Sequence, residues 1–153
     1  MAYTDIISLD DAKLYLRVDD TQTEDDTQIT RMINGALSYV ERYTNYILFA
    51  RDKEYRLIDG KVRVYDYPIN SEVTSDLESS NKTLHTIYTL GSDNSLITLN
   101  VGYVSNTDIP QELIEVAYEI IDIYYYGKES GKTMADLSPL SKDVLNNYKR
   151  FIL

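Results

Sequence analysis

Residues 127–133 read GKESGKT, a run whose residue types and order suggest phosphate chemistry. A phosphate-binding loop of the G-x-x-x-x-G-K-[ST] kind wraps backbone N–H groups around the anion and aims a helix N-terminus at it. Here Gly127 and Gly131 enclose one residue too few, although Lys132 and Thr133 follow in the expected order. The flanks are also wrong: an apolar, helix-patterned run precedes the loop, and Met134-Ala-Asp-Leu-Ser-Pro139 follows it. We read the stretch as a solvated turn, with Gly127 as a helix C-cap, and expect no nucleotide-binding site.

The acids Asp19, Asp20, Glu24, Asp25 and Asp26 suggest calcium, but they lack the residue order and terminal Glu of an EF-hand loop. Their place before an apolar-periodic run predicts a solvated inter-helix loop, with Asp25 or Asp26 capping the next helix. Paired-carboxylate hydrolysis would need burial to raise one pKa, and nothing in the pattern supplies it. His85 is the only histidine, and no G-x-S-x-G elbow exists to hold a serine for it; a half-buried strand histidine is expected. The chain has no cysteine, which rules out disulfides and thiolate metal sites. No catalytic residue, metal or cofactor is expected.

A chain of 153 residues fits one domain with its own core. The net charge of −10 disfavours gripping nucleic-acid phosphates, and the basic residues form no aromatic-interleaved patch. The first residues carry no signal-peptide pattern, and no apolar run approaches the roughly 18 residues of a membrane span. Tyrosine is the outlier, with 15 against two Phe and no Trp. Its apolar body and polar tip suit surfaces buried on assembly, and equally a core that uses Tyr in place of Phe.

Ser8-Leu-Asp-Asp11 is a capping pattern and predicts a short helix to about Val18, with Leu9, Ala12 and Leu16 on one face. From Thr27 to Thr44, Ile29, Met32, Ile33, Ala36, Leu37, Val40 and Tyr43 fall at helical spacing. Gly35, opposite that stripe, costs about 1 kcal/mol relative to Ala, which a close neighbour would explain. Tyr55–Ile58, Asp59-Gly60 and Lys61–Tyr65 predict a β-hairpin with a type I′ turn. Residues 71–82 are polar and read as a loop. Thr83–Leu90 and Leu96–Tyr103 predict a second strand pair. Pro110 announces a helix over 111–126 that is apolar on most sides, so it must occupy the core centre or a subunit interface. Ser138-Pro139 opens a last helix carrying Leu140, Val144, Leu145 and Tyr148. The predicted fold is mainly α, four helices in an antiparallel bundle-like arrangement with an inserted β-hairpin region, α+β overall.

Three segments together resemble the gp6-like head–tail connector (head-completion adaptor) proteins of tailed bacteriophages. They are residues 8–45 (SLDDAKLYLRV through VERYTN), residues 96–130 (LITLNVGYVSNTDIPQELIEVAYEIIDIYYYGKES) and the helix around LSPLSKDVLNNYKRF. The region 46–95 departs from the family pattern by being longer and richer in strand. The resemblance implies one connector domain over 1–153, helical at 8–45 and 108–153, with a β-rich insertion at about 46–105. It implies a non-enzymatic ring subunit, typically of a dodecamer, made in the bacterial host cytoplasm and placed in the virion neck. Implied partners are the portal protein and the tail or a second neck protein, with DNA passing through the lumen unbound and no membrane. Tyr118, Tyr124, Tyr125, Tyr126, Tyr148, Phe151, Ile152 and Leu153 are the expected interface residues. The last three suit a terminus that orders on docking. The hairpin at 55–65 is expected to meet a neighbouring neck or tail protein. A different class of function, a monomeric and perhaps carbohydrate-directed binding module using a Tyr-rich β surface, is the alternative reading.

Overall fold

The computed structural model describes residues 2–74, 76–82, 84–90 and 95–150, without the Lys128 side chain. Among these, the helices form where the apolar spacing places them. Ser8 accepts from the Asp11 N–H at 3.1 Å and starts α1 (Leu9–Leu16), which Arg17 ends in the left-handed region. The predicted stripe buries Ile29, Ile33, Ala36, Leu37 and Val40 of α2 (Asp26–Thr44). Pro110 is the N-cap of α3 (Gln111–Ser130), and Ser138 caps α4 (Pro139–Tyr148) by accepting from the Ser141 N–H at 3.1 Å. α1, α2 and α4 all pack on α3, so its broad apolar surface is covered within the chain. Leu113, Ile120 and Ile121 are fully buried there, each worth roughly 1.5–3 kcal/mol relative to exposure. Of the two settings expected for this helix, it occupies the core centre.

The β region departs from the predicted hairpins. Its strands are β1 (Arg51–Arg56), β2 (Lys61–Val64), β3 (Ile69–Glu72), β4 (Glu78–Asn81), β5 (Thr86–Thr89) and β6 (Leu96–Val101). They form two antiparallel three-stranded sheets ordered β1-β6-β3 and β2-β5-β4. The Asp59-Gly60 turn is present, with φ of 52° and 70°, and Ile58 and Lys61 exchange both backbone hydrogen bonds across it. Beyond that one pair the strands diverge into different sheets. The turn is a local choice, but the partner strand is chosen by burial. Splaying β1 from β2 lets Leu57, Val64, Tyr88, Ile97, Leu99 and Val101 meet between the sheets. For the same reason β5 and β6 do not pair with each other. Residues 71–82, expected as loop, contain the end of β3 and all of β4; every described residue of β4 is exposed, so no alternation marked it. His85 lies half-buried just before β5, 5.2 Å from the Tyr65 ring.

Glu41 fastens the two layers together. Its buried carboxylate accepts from the Leu48 N–H at 2.7 Å, from both Arg51 guanidinium nitrogens at 3.2 and 2.7 Å, and from the Tyr3 hydroxyl at 2.7 Å. The lone pairs of this carboxylate are thus filled, as a buried charge requires. Burial, reinforced by Glu41, pushes the Tyr3 phenol up to about 12.

Candidate functional site

The GKESGKT stretch is a helix C-terminus. α3 continues through Gly127 to Ser130, and Gly131 with φ of 72° is the C-cap, donating its N–H to the Gly127 carbonyl at 2.8 Å. The expected cap at Gly127 is therefore one turn early. Gly127 is small for another reason: a Cβ there would stand 2.8 Å from the Lys132 carbonyl oxygen, where the chain folds back. A phosphate at this end would meet unpaired carbonyls and the negative end of the helix dipole, the reverse of a phosphate cradle. Thr133 and Asp136 instead cap the short 3₁₀ turn Met134–Asp136.

The acidic stretch is likewise consumed by structure. Asp19 accepts from the Thr21 N–H at 2.9 Å. Asp25 is the N-cap of α2 by position but makes no side-chain cap bond; its carboxylate accepts the Tyr125 hydroxyl at 2.8 Å. Asp26 pairs with buried Lys13 at 2.6 Å. Among the described residues no group of three His, Asp or Glu side chains is placed to hold a metal ion, and no helix is long and apolar enough to cross a membrane.

The tyrosines expected at an interface lie along α3 and α4, and each has a partner within the chain. Tyr118 stacks on Tyr15, centroids 4.9 Å apart. Tyr124 reaches the place where a Cβ on Gly35 would stand, 3.4 Å from its ring, linking α3 to α2. Tyr125 sits edge-on to Tyr126, and the hydrogen bond to Asp25, with some burial, pushes its phenol up to about 12. The Tyr126 hydroxyl donates to the Leu16 carbonyl at 2.6 Å while its ring stays 36% exposed. Tyr148 donates to Glu112 at 2.9 Å. Phe151, Ile152 and Leu153 lie outside the described residues.

Sequence reasoning missed the cluster that anchors Arg150. Tyr46 packs against Tyr67, Tyr103 and Tyr148, with centroids 5.1, 6.5 and 5.1 Å away. The Arg150 guanidinium lies 4.5 Å over the Tyr67 ring, its Nε donates to the Tyr65 carbonyl at 3.1 Å, and its backbone N–H donates to the Thr44 carbonyl at 3.1 Å. These residues come from four distant segments, so no spacing rule could join them. Of the β-region tyrosines, Tyr88 is buried and Tyr55 bonds Asp66, while Tyr67 lies under Arg150 and stays 40% exposed.

This fold is shared by three chains of gene transfer agent particles, known from structures of these assemblies. One, from the neck of the empty particle computed with C6 symmetry, aligns with TM-score 0.73 at 12% identity, over 97% of this chain and 92% of that one. A second, from the virion of the native particle, aligns with TM-score 0.74 at 11% identity, over 100% and 94%. A third, from the native neck computed with C12 symmetry, gives TM-score 0.64 at 14% identity, over 92% and 89%. No curated protein sequence matches the chain. The family described as phage gp6-like head–tail connector protein matches residues 6–149, both helical segments and the whole β region together. With helices and sheets in that order, this chain belongs to the phage gp6-like head–tail connector family, a structural class and not a class of enzymes.

Proposed function

We propose that this protein is a structural adaptor of a tailed-phage neck, whose copies form a ring beneath the portal, extend the DNA channel and join the head to the tail or to a second neck protein. The family match over residues 6–149 carries this reading. Support for a ring comes from the fold neighbours, two of which belong to necks computed with C6 and C12 symmetry. The copy number we assign is twelve, in keeping with the latter. Residues 1–153 act as one connector domain, with the β insertion carried on the helical part. A net charge of −10 lets DNA slide through without sticking.

Within this reading Tyr118 and Tyr126 contribute exposed ring surface to neighbour contacts, while Tyr124, Tyr125 and Tyr148 hold the helices that present them. The turn at 58–60, where Ile58 is 69% exposed, meets the next neck protein. Residues 151–153 dock onto the portal from the Arg150 anchor. Imaging of purified virions with a tag on this chain tests the proposal. Density between portal and tail is expected; a tag on the capsid surface or at the tail tip would refute it.

A further inference from the structure

Two exposed stripes on the central helices carry opposite charge. Along α2 the outward positions include Gln28, Arg31, Asn34, Ser38 and Arg42. The acids of this helix, Asp26 and Glu41, are already paired with Lys13 and Arg51. Neither Arg31 nor Arg42 has an ion pair among the described residues. Along α3, Glu112 and Glu115 are exposed and Glu119 and Asp122 half-buried, three or four apart and so aligned in one row. Glu112 and Glu119 are engaged by α4, through Tyr148 and through Ser138 and Ser141. Glu115 accepts only from Gln111, at 2.9 Å, and Asp122 has Lys132 no nearer than 3.9 Å.

Beside this row stands the stacked Tyr15–Tyr118 pair, with Tyr15 46% exposed. Burial raises the Tyr15 pKa, and Asp122, Glu119 and Glu115 add to it. Carboxylates next to an open aromatic face are what a guanidinium seeks, since it pairs with the former and lies flat on the latter.

The acidic row lies on the α4 side of α3, where Tyr148, Ser138 and Ser141 meet it, and no ion pair joins the two stripes among the described residues. A surface and its complement, facing outward from one molecule, satisfy the requirement for a heterologous contact that repeats and closes. We propose that the Arg31–Arg42 stripe of one copy docks on the Glu112–Asp122 row and the Tyr15–Tyr118 pair of the next, forming the joint of the ring. This rests on the ring reading above and specifies which faces build it.

The absence of cysteine makes the test clean. Single variants S38C (on the basic stripe) and Q111C (beside the acidic row) leave every charge in place; S80C on β4 serves as the control. Pairwise mixtures of full-length protein are treated with a bismaleimide, and sedimentation of the wild type is run in parallel. The expected result is S38C–Q111C heterodimer in clear excess over S38C and Q111C homodimers and over any S80C product. That excess should be lost at high salt, lost in an R31E/R42E background, and regained when the other copy carries E115K/D122K. A mixed product no greater than the control overturns the proposal. If the wild type nevertheless sediments as an oligomer, the ring stands and only this joint fails. If it stays monomeric at every concentration, and adding portal protein to the mixture still gives neither an oligomer nor product above control, both fail together.

Discussion

Glu119 of α3 accepts a 2.6 Å hydrogen bond from the Ser138 backbone N–H, 19 residues downstream, and so caps α4 from a neighbouring helix. Its other oxygen accepts from the Ser138 and Ser141 hydroxyls. Burial alone would raise this carboxyl, but the Ser141 and Ser138 hydrogen bonds together outweigh it and hold the pKa below its ordinary value. A carboxyl lowered in the folded state contributes stability that is complete above its unfolded pKa and is lost as pH falls through the folded one. E119Q should therefore lower stability by about 1–2 kcal/mol at neutral pH, and the gap from wild type should narrow as the solution is acidified. Urea titrations across that range measure it; a gap that widens toward acid would contradict the assignment.

Removing Glu41 should be the most damaging change at the junction of the layers. E41A leaves Arg51 and the Leu48 N–H without their acceptor, at a cost on the order of 3 kcal/mol. E41Q keeps the shape and one acceptor and should recover part of the loss. Equal stability of E41A and wild type in chemical denaturation would show that the network is dispensable.

Two glycines should respond in opposite directions to alanine. A Cβ at Gly35 would stand 3.4 Å from the Tyr124 ring, an ordinary contact, so G35A should gain up to about 1 kcal/mol from helix propensity. At Gly102, φ is +112° and a Cβ would come within 2.3 Å of the Phe49 carbonyl oxygen. G102A should cost about 3 kcal/mol or more, through strain and a backbone shift. Thermal melts of the two variants should move to opposite sides of the wild type.

Arg150 belongs to the folded body, so the role of the terminal tripeptide must be tested by a cut after it. Deleting 151–153 should weaken portal binding. R150A should lower stability by roughly 1–2 kcal/mol, through the lost contact with Tyr67 and the lost bond to the Tyr65 carbonyl. A tripeptide deletion that binds portal normally would remove those residues from the interface.

ATP with Mg²⁺ should produce no thermal stabilisation, because the GKESGKT segment offers carbonyls where a phosphate needs N–H donors. A dose-dependent rise in melting temperature would overturn this reading.

The helical half was legible because its signals are local. The Ser8 and Ser138 caps, the stripe from Ile29 to Val40 and Pro110 each act within a few residues. The β half was legible only as far as it is local. Asp59-Gly60 predicted its own turn correctly, but whether Tyr55 would face Ile97 or a residue across that turn depended on a core assembled from five strands and flanking segments. β4 had no apolar alternation to read. The tyrosine excess was legible as a fact but not as a purpose. Tyr3, Tyr43, Tyr125, Tyr126 and Tyr148 each spend a hydroxyl on a distant element, and only folding brings those acceptors within reach.

The β insertion leaves and rejoins the helical core at one place. Ala50 donates to the Tyr103 carbonyl at 2.8 Å, Tyr103 donates to the Ile47 carbonyl at 3.1 Å, and Gly102 donates to the Pro68 carbonyl at 2.8 Å. To α2 and α3, whatever lies between those rungs is one closed loop with its ends pinned side by side. Such a stem localises the joint: with its ends held together, a change of length between the rungs need not shift the register of the four helices.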